Sequence, residues 1–451
     1  MRFEDFFAGY TQQMRKVIQA QQQGDFVNAL MLIPEHNKKH NAYNLSLLEK
    51  GRLAFLQQDW SQSSAFFADA SQSIDYERAK AKIQISKGFE NAGAVISNDS
   101  AIQYQVPAYE QSMMHSYQAL NYVYQDNLES ALVEVRKANL IQEQALRDNE
   151  DALLAAQQKM ANQGMTTESL YEAYPSMIDM VGEVKNGFQN AFTFYLSGML
   201  YESAGELNDA YIDYQKALEI FPNNKYLQLD VLRLAQYIGI QTDVEYTPEL
   251  AKINQVENET DASGYVVVIY EQGLVNAKQE ARLNLPLYTR HNNMRFFSFS
   301  LPVYRLLSHN EQPLVLHYNQ ERFQSDEIVV LQSLASKQLL EELPSLVTRQ
   351  AIRLVAKEQM RKKMSKEGGD VGNILASLYN IASEHADTRS WLSLPNRIQL
   401  LKVALPVGQH NLAIEHANGR SIVEVNINKN RMTLINLTTV GNYSGYKTTN
   451  L

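Results

Sequence analysis

The sequence predicts an α+β protein in which an all-α, tetratricopeptide-like solenoid precedes a mixed α+β domain with antiparallel strands. A helical repeat of 34 residues runs through the first half of the chain. Near residue 250 an acidic and polar stretch interrupts this periodicity, and alternation with period two follows it. These observations predict a helical repeat domain over 1–240, a linker over 241–264 and an α+β domain over 265–451.

The clearest repeat runs from Asn190 to Asn223. Its signature positions carry the residues that tetratricopeptide repeats prefer, namely Phe194, Gly198, Tyr201, Ala210, Tyr214, Ala217 and Pro222. We interpret Gly198 and Ala210 as the point where two paired helices approach closely. Pro222 ends the second helix because proline has no N–H for the hydrogen-bond ladder.

Weaker copies of the repeat precede this unit. Gly24-Asp25-Phe26 and Gln58-Asp59-Trp60 predict equivalent turns 34 positions apart, since 58 − 24 = 34. A third unit runs from Ala119 to Ala138. Between the second and third units we predict a separate helix from about Tyr76 to Ala94.

Stacked repeats bury their core but leave one face free, and such a face typically receives a peptide or helix of another protein. We therefore predict that Tyr117, Tyr124 and Arg136 belong to a partner-binding face. The alternative is that these tyrosines fill space between helices. A long polar helix is predicted to continue to about Gln163, and its part from Glu143 to Gln158 suits either ordinary packing or a coiled coil with a partner.

Alternating apolar and polar residues predict the strands of the second half. The first set is Tyr265 to Tyr270, Ala281 to Leu287, Phe296 to Tyr304 and Leu314 to Tyr318. The second set is Ile398 to Leu405, Gln409 to His416, Ser421 to Asn426 and Arg431 to Thr438. Between the sets we predict helices over Val329 to Leu343, Ser345 to Lys363 and Val371 to His385. Asn418-Gly419 predicts a hairpin turn, because both residue types tolerate positive φ.

The composition of the chain excludes several kinds of binding site and catalytic site. The net charge of −9 argues against a broad nucleic-acid surface, which normally has a basic excess. The chain has no cysteine, so disulfides, zinc–thiolate sites and cysteine nucleophiles are excluded for this sequence. Phosphate-binding loops, dinucleotide fingerprints and nucleophile elbows are absent too. We accordingly expect no catalytic residue, no bound metal and no cofactor.

One polar stretch stands out. Asp387, Arg389 and Trp391 lie within five residues and precede Leu394-Pro395. A carboxylate, a guanidinium and an indole so close together could form a binding site, so these three residues join the partner-binding candidates. The alternative is structural support, with the charged groups paired and Trp391 anchored in the core.

Several stretches resemble an uncharacterised family of Gram-negative outer-membrane lipoproteins with a tetratricopeptide-like N-terminal half. They are Tyr109-Glu110, residues 115–122 (HSYQALNY), 133–138 (VEVRKA), 186–192 (NGFQNAF), 270–274 (YEQGL) and 387–395 (DTRSWLSLP). The resemblance covers nearly the whole chain. It implies a secreted precursor whose signal peptide and lipid-bearing cysteine are missing from this sequence, so contact with a membrane would depend on an absent lipid anchor. It also implies an envelope neighbourhood that includes lipoproteins similar to activators of penicillin-binding proteins.

These observations favour a non-catalytic periplasmic scaffold that is anchored to the outer membrane and binds protein partners in cell-envelope or peptidoglycan assembly. Nucleic acid is not an expected partner. The alternative is a C-terminal ligand-binding or hydrolytic domain that acts on an envelope glycan or peptide and uses a pocket near Asp387 and Arg389. A cytosolic co-chaperone-like adaptor is a third reading.

Overall fold

The computed structural model describes residues 9–86, 99–162, 175–245, 250, 263–288, 294–305, 312–354 and 385–451. Within these ranges, helices occupy the first half of the chain and strands most of the second half. The predicted α+β class is therefore confirmed. None of the helices in the described ranges combines the length and apolar character needed to cross a membrane.

The helices of the first half pack mainly as successive pairs. In chain order they are α1 (Tyr10–Gln13), α2 (Arg15–Gln22), α3 (Phe26–Leu32), α4 (Tyr43–Leu56), α5 (Trp60–Ser86), α6 (Ala108–Val123), α7 (Leu128–Ala161), α8 (Pro175–Val181), α9 (Ala191–Ser203), α10 (Leu207–Ile220) and α11 (Lys225–Ile238). Tight turns join α2 to α3, α4 to α5, α6 to α7 and α9 to α10, and the members of each pair pack together. Each pair is thus a helical hairpin.

These four hairpins share one backbone turn. Gly24, Gln58, Asp126 and Gly205 have φ values of 76°, 61°, 56° and 80°. In each turn the N–H of this residue donates to the carbonyl three residues earlier, and the next N–H donates to the carbonyl five residues before itself. This pattern satisfies carbonyl groups at the end of the first helix. Because it forms with glycine, glutamine or aspartate alike, the repeat is defined by backbone geometry more than by one turn residue.

Glycine brings two of these helix pairs into close contact. A Cβ atom on Gly51 would lie 2.5 Å from the ring of Phe67, and one on Gly198 would lie 2.7 Å from the ring of Tyr214. Both pairs are 16 positions apart, since 67 − 51 and 214 − 198 each give 16. The close approach predicted at Gly198 is therefore present, and the second hairpin repeats it.

The strands found among the described residues of the second half form three sheets. They are β1 (Ser263–Gln272), β2 (Gln279–Tyr288), β3 (Met294–Val303), β4 (Val315–Tyr318), β5 (Glu321–Gln324), β6 (Asp326–Val330), β7 (Arg397–Pro406), β8 (Gly408–His416), β9 (Gly419–Ile427), β10 (Met432–Val440) and β11 (Tyr443–Asn450). The central sheet has the order β11-β10-β1-β7-β6, with β1 parallel to β10 and antiparallel to β7. The other sheets are the β2-β3 hairpin and the order β5-β4-β8-β9.

The central sheet packs directly against the helices of the first half. Nearly every residue of β1, β7 and β10 is buried, which is typical of a sheet covered on both faces. A single cluster of buried apolar side chains includes residues of the helical hairpins and of these strands. A second, smaller cluster also joins them, through residues such as Val17, Phe26, Leu392 and Val440, so the two halves are packed together by shared hydrophobic cores.

Several finer predictions are wrong. Residues 331–354 form one uninterrupted helix through Pro344, where two helices were expected, and Val329 belongs to β6. The Pro344 carbonyl still accepts a bond from the Thr348 hydroxyl at 2.7 Å, and burial of Leu343 and Val347 keeps the helix packed. Residues 355–384, including most of the predicted helix to His385, lie outside the described residues, and His385 itself is not helical.

Other differences concern boundaries and short strands. Helix α5 is continuous to Ser86, so the separate helix expected from Tyr76 does not begin there, and its predicted end lies outside the described residues. The sequence pattern missed β5, β6 and β11. The hairpin between β8 and β9 turns at Ala417-Asn418, one residue earlier than predicted, and Gly419 with φ of 126° begins β9.

Candidate functional site: a groove occupied by the chain itself

The first helices of the last three hairpins, α4, α6 and α9, are buried on nearly all sides. Almost every residue of α4, α6 and α9 is buried, whereas α3, α5, α7 and α10 keep exposed residues along their length. A helix that is buried all round must be covered on both sides. We call α2, α4, α6 and α9 the inner helices and their partners the outer helices. The face of α2, α4 and α6 towards the C-terminal half is the groove.

A non-helical segment, residues 386–396, lies in the groove and is held through its backbone. The Glu49 carboxylate of α4 accepts the N–H groups of Leu392 at 2.7 Å and Ser393 at 3.1 Å. The Glu110 carboxylate of α6 accepts the N–H of Trp391 at 3.0 Å. Two inner helices thus satisfy three consecutive amides, which is how a protein recognises the main chain of a peptide.

The side chain of Trp391 fills the groove beneath this backbone. It is fully buried and meets the rings of Phe67 and Tyr117 edge-on, with centroid separations of 5.9 and 6.1 Å. Its indole N–H donates to the Ser393 hydroxyl at 2.9 Å, so the polar atom is satisfied inside the core. Trp391 therefore anchors the segment to the second and third hairpins.

Arg389 closes one end of the segment. Its guanidinium forms a two-point pair with Asp387, at 2.8 and 2.6 Å. It also donates to the backbone carbonyls of Asn41 and Ile102 at 2.9 Å and of Asp99 at 3.3 Å. Burial alone raises the pKa of the Asp387 carboxyl, but the bond and charge of Arg389 outweigh it, and the net pKa lies below its ordinary value. Because these hydrogen bonds all go to groups of the same chain, the Arg389 guanidinium stabilises the fold.

A buried ion pair joins the groove to the central sheet. Arg52 of α4 donates to Glu271 of β1 at 2.6 Å, and both side chains are fully buried. The same carboxylate accepts the hydroxyl of Tyr117 at 2.9 Å and that of Thr438 at 2.7 Å. Because both charges are removed from water, loss of either partner would leave the other uncompensated.

Two further charge clusters fix the helices on the sheet and on residues 331–354. Arg353 makes a two-point pair with Asp99, at 3.0 and 2.9 Å. On the other side of the fold, Asp230 of α11 pairs with Lys402 of β7 and with Arg233. Charged groups therefore bridge the two halves at several separate places.

Burial perturbs the groove carboxylates strongly. Desolvation raises the pKa of Glu49 from 4.5 to about 7, although bonds from Ser393, Leu392 and Tyr10 act in the opposite direction. Burial also raises the pKa of Glu110 above its ordinary value. Perturbed carboxylates mark functional centres in many proteins, but structural networks produce the same effect. Here both groups already bind the chain's own amides.

The six predicted site residues do not form one partner-binding surface. Tyr117 and Trp391 contact each other in the core, and Asp387 pairs with Arg389. Tyr124 is partly buried and stacks near Trp60, with ring centroids 4.4 Å apart. Arg136 lies on the outer helix α7, where it bonds to Tyr201 and Glu206, each at 3.2 Å.

The expectation of a free groove is wrong for this structure, because residues 386–396 and the central sheet cover it. Sequence reasoning also missed the residues that hold them, namely Glu49, Arg52, Glu110 and Glu271. A signal was available. Glu49 and Arg52 lie within the mainly apolar stretch from Leu45 to Phe55, and Glu271 ends the apolar run of β1, whereas the polar residues that follow Glu110 give no such signal.

Within the described ranges, no group of three or more acidic or histidine side chains is placed to hold a metal ion. Comparison of the chain with models of protein families and with curated proteins finds no match. The geometry of the groove is therefore the basis for a functional assignment.

Proposed function

We propose that this protein is a non-catalytic scaffold of the cell envelope that binds other proteins through the outer faces of its helical hairpins. One contrast carries the proposal: the inner face of the repeats is occupied by the chain itself, while the outer helices expose large apolar side chains. A soluble protein rarely leaves an apolar stripe uncovered without a use for it.

The occupied groove is a poor site for a competing partner. A partner would have to remove the Trp391 side chain from the core, and loss of such a side chain typically costs about 3–5 kcal/mol. It would also strip three amides from Glu49 and Glu110. Residue 396 is followed directly by β7, a central strand of the sheet, so the segment cannot leave the groove alone. We therefore propose that the occupied groove holds the two halves in a rigid arrangement.

Helix α7 offers the best outer surface. Val133, Leu140 and Leu154 are 45%, 49% and 51% exposed. Val133 and Leu140 are 7 residues apart, which is about two helical turns, and Leu140 and Leu154 are 14 residues apart, which is about four turns. The three side chains therefore lie on one side of the helix, and Arg147 occupies the equivalent position between Leu140 and Leu154. Stripes with this spacing bind an amphipathic helix of a second chain. We propose that such a helix is the partner element.

The length of α7 supports this assignment. It has 34 residues and so spans about 51 Å, whereas its hairpin partner α6 has 16 residues and spans about 24 Å. Much of α7 therefore extends past α6, and Leu154 lies in that part. A partner helix could run along this portion without displacing any hairpin.

The envelope location and the class of partner rest on the family resemblance. Under this proposal the partners are envelope proteins, including lipoproteins similar to activators of penicillin-binding proteins, and the native precursor is tethered to the outer membrane. The reading frame upstream of the Met1 codon tests the tether directly, because a lipobox cysteine either is encoded there or is not.

The hydrolytic alternative has lost its stated support. It required Asp387 and Arg389 to line an open pocket, and these side chains are instead paired with each other and with backbone carbonyls. The proposed scaffold role does not depend on either residue being accessible.

Site-specific photocrosslinking in intact cells tests the proposal. A photoreactive phenylalanine analogue at position 140 or 154 should capture an envelope protein, and Leu154→Glu should abolish the product obtained from position 140. Ala152 is an exposed residue on another side of α7 and provides the matched control position. The purified partner should then bind the wild-type chain and fail to bind the Leu154→Glu variant.

Two outcomes would contradict the proposal. One is the capture of cytosolic proteins alone. The other is equal crosslinking from positions 140, 154 and 152, which would show that the apolar stripe has no preference over the rest of the helix.

A further inference from the structure

The exposed side of α7 carries charges of opposite sign beside the two halves of its apolar stripe. Arg136 and Lys137 lie beside the first half, with 52% and 48% of their side chains exposed. Glu150 and Asp151 lie beside the second half, and both are exposed. Neither of these two carboxylates forms a hydrogen bond or an ion pair with a residue that the structure describes. Both are therefore available to a second molecule that binds the stripe.

The stripe is symmetric about a midpoint between positions 143 and 144. Val133 and Leu154 each lie ten residues from it, since 143 − 133 and 154 − 144 both give 10. Leu140 and Arg147 each lie three residues from it, since 143 − 140 and 147 − 144 both give 3. A second α7 turned end to end about this midpoint would therefore present the same stripe in the same place.

The flanking charges have the same midpoint but opposite signs on its two sides. Arg136 and Lys137 lie seven and six residues before it, and Glu150 and Asp151 lie six and seven residues after it. Rotation by 180° thus brings the basic pair of each copy against the acidic pair of the other. Such a contact is isologous, because both copies contribute the same surface.

The same rotation matches the side chains of the stripe. Val133 faces Leu154 of the other copy, and Leu140 faces Arg147. The aliphatic stem of an arginine can cover a leucine while its guanidinium reaches a polar group. Glu143 supplies a carboxylate one turn from Leu140 on the same helix, and its side chain is 45% exposed.

Arg147 selects this arrangement over two competing ones. In a parallel pair of helices it would face its own copy, as would Arg136 and Lys137. In an antiparallel pair centred on position 147 the two arginines would again meet. Like charges in contact disfavour both alternatives. One polar residue in an apolar seam fixes the register of coiled coils in the same way.

We propose that the partner helix of the α7 stripe is α7 of a second copy of this chain, packed antiparallel over residues 133–154. This inference rests on the proposed function, which assigns the stripe to an amphipathic helix, and it names that helix. The overlap spans about 32 Å, because 21 helical steps separate its ends. Other outer helices keep exposed apolar side chains for other envelope proteins, such as Met31 of α3 and Ile212 of α10.

Engineered cysteines test the register, because the chain has no cysteine of its own. Full chains with Val133→Cys and with Leu154→Cys, one of them tagged, should form a mixed disulfide when they are combined and oxidised. Each variant alone should form little disulfide, because its thiol faces an apolar side chain of the other copy. Ala152→Cys places a thiol on another exposed side of α7, and this control should not link to either variant.

Reversal of single charges tests the pairing between the copies. Asp151→Lys creates a like-charge contact at both ends of the dimer, and we expect association to weaken about tenfold in sedimentation experiments. The fold should be unaffected, because Asp151 is exposed. The double variant Lys137→Glu/Asp151→Lys restores opposite signs and should recover association. Lys159→Glu reverses a charge of the same helix outside the overlap and should have no effect.

Three results would overturn the inference. The first is a wild-type chain that sediments as a monomer at every concentration. The second is a disulfide within Val133→Cys alone and within Leu154→Cys alone but no mixed product, which would show a parallel pair. The third is a double charge variant that associates no better than Asp151→Lys.

The dimer and the proposed scaffold role fail in different ways. A monomeric chain whose positions 140 and 154 still capture a different envelope protein would overturn the dimer and support the scaffold. A chain captured by its own copy at those positions, with no other envelope protein captured there or at positions 31 and 212, would support the dimer and count against the scaffold.

Discussion

The inner and outer faces of the helical hairpins differ in which side chains they bury and which they expose to solvent. The inner helices bury charged side chains, including Glu49, Arg52 and Glu110, and satisfy them with groups contributed by the distant half of the chain. The outer helices expose apolar side chains such as Leu140, and their buried charges, such as Glu134 and Asp213, are paired within the helical half. Burial of charge therefore marks intramolecular contact here, and under the proposed function exposed apolar surface marks where other proteins bind.

The largest effect should come from breaking the buried pair on the inner face. Arg52→Met leaves the Glu271 carboxylate without its cation in the core, and we expect the free energy of unfolding to fall by about 3–5 kcal/mol. The double variant Arg52→Met/Glu271→Leu should recover most of this loss, because no charge remains buried. Urea unfolding followed by circular dichroism measures both values. A single variant that loses less than about 1 kcal/mol would show that the inner face tolerates an unpaired charge.

The next effect depends on pH. In the unfolded chain Glu49 loses its proton near pH 4.5, whereas in the folded protein its pKa is about 7. The folded state thus holds the proton more tightly, so this contribution is complete below pH 4.5 and is lost as the pH rises through 7. The difference corresponds to about 3 kcal/mol. Unfolding measured between pH 4.5 and 8 should show stability falling over this window.

Glu49→Gln isolates that contribution. The variant should have a flatter pH profile between pH 4.5 and 7, and a residual slope of the same sign is expected from Glu110, whose pKa is also raised by burial. A profile identical to that of the wild type would show that Glu49 keeps an ordinary pKa in the folded protein.

A smaller effect is expected where inner and outer helices meet. Gly198→Ala places a methyl group 2.7 Å from the Tyr214 ring, and crowding of this kind costs about 1–3 kcal/mol. Gly205→Asn is the comparison in the turn of the same hairpin. It has open space and a φ of 80°, which asparagine tolerates, so its cost should be smaller. The ranking fails if thermal unfolding finds Gly205→Asn the more damaging change.

The smallest effect on stability belongs to the outer face. Leu140→Gln and Leu154→Gln should change the free energy of unfolding by no more than about 0.5 kcal/mol, because both side chains are about half exposed. The same substitutions should weaken capture of the partner. If either variant is strongly destabilised, that leucine is a packing residue and the contrast between the faces is weaker than we infer.

Sequence reasoning predicted the helical hairpins well because their signals are local. Gly198 and Tyr214 lie within one repeat, and β1 and β7 each contain a run of apolar residues that is visible within ten positions. It could not predict that β1 would pair in parallel with β10, since nothing in either strand states which distant strand is its neighbour. Short β5 was missed because Phe323 is its single apolar residue.

The prediction of the partner-binding site was wrong for the same reason, because it depended on contacts between residues that are distant in the sequence. Tyr117 and Trp391 were both selected as unusual residues, but 274 positions separate them (391 − 117 = 274), and the sequence gives no sign that they meet. Without that contact, an aromatic residue on an inner helix looks like part of an open groove. The better indicator was Glu49, a carboxylate inside an apolar helix, because it must find donors elsewhere in the chain.

The bond between Glu49 and the Leu392 amide spans 343 positions, which has a consequence for synthesis of the protein. A ribosome adds roughly 5–20 residues each second, so α4 emerges about 20–70 s before the segment that covers it. During that interval the nascent hairpins present their future interior to the surroundings. A chain halted after the helical half would stay in that state, and we expect such fragments to depend on chaperones or to be degraded.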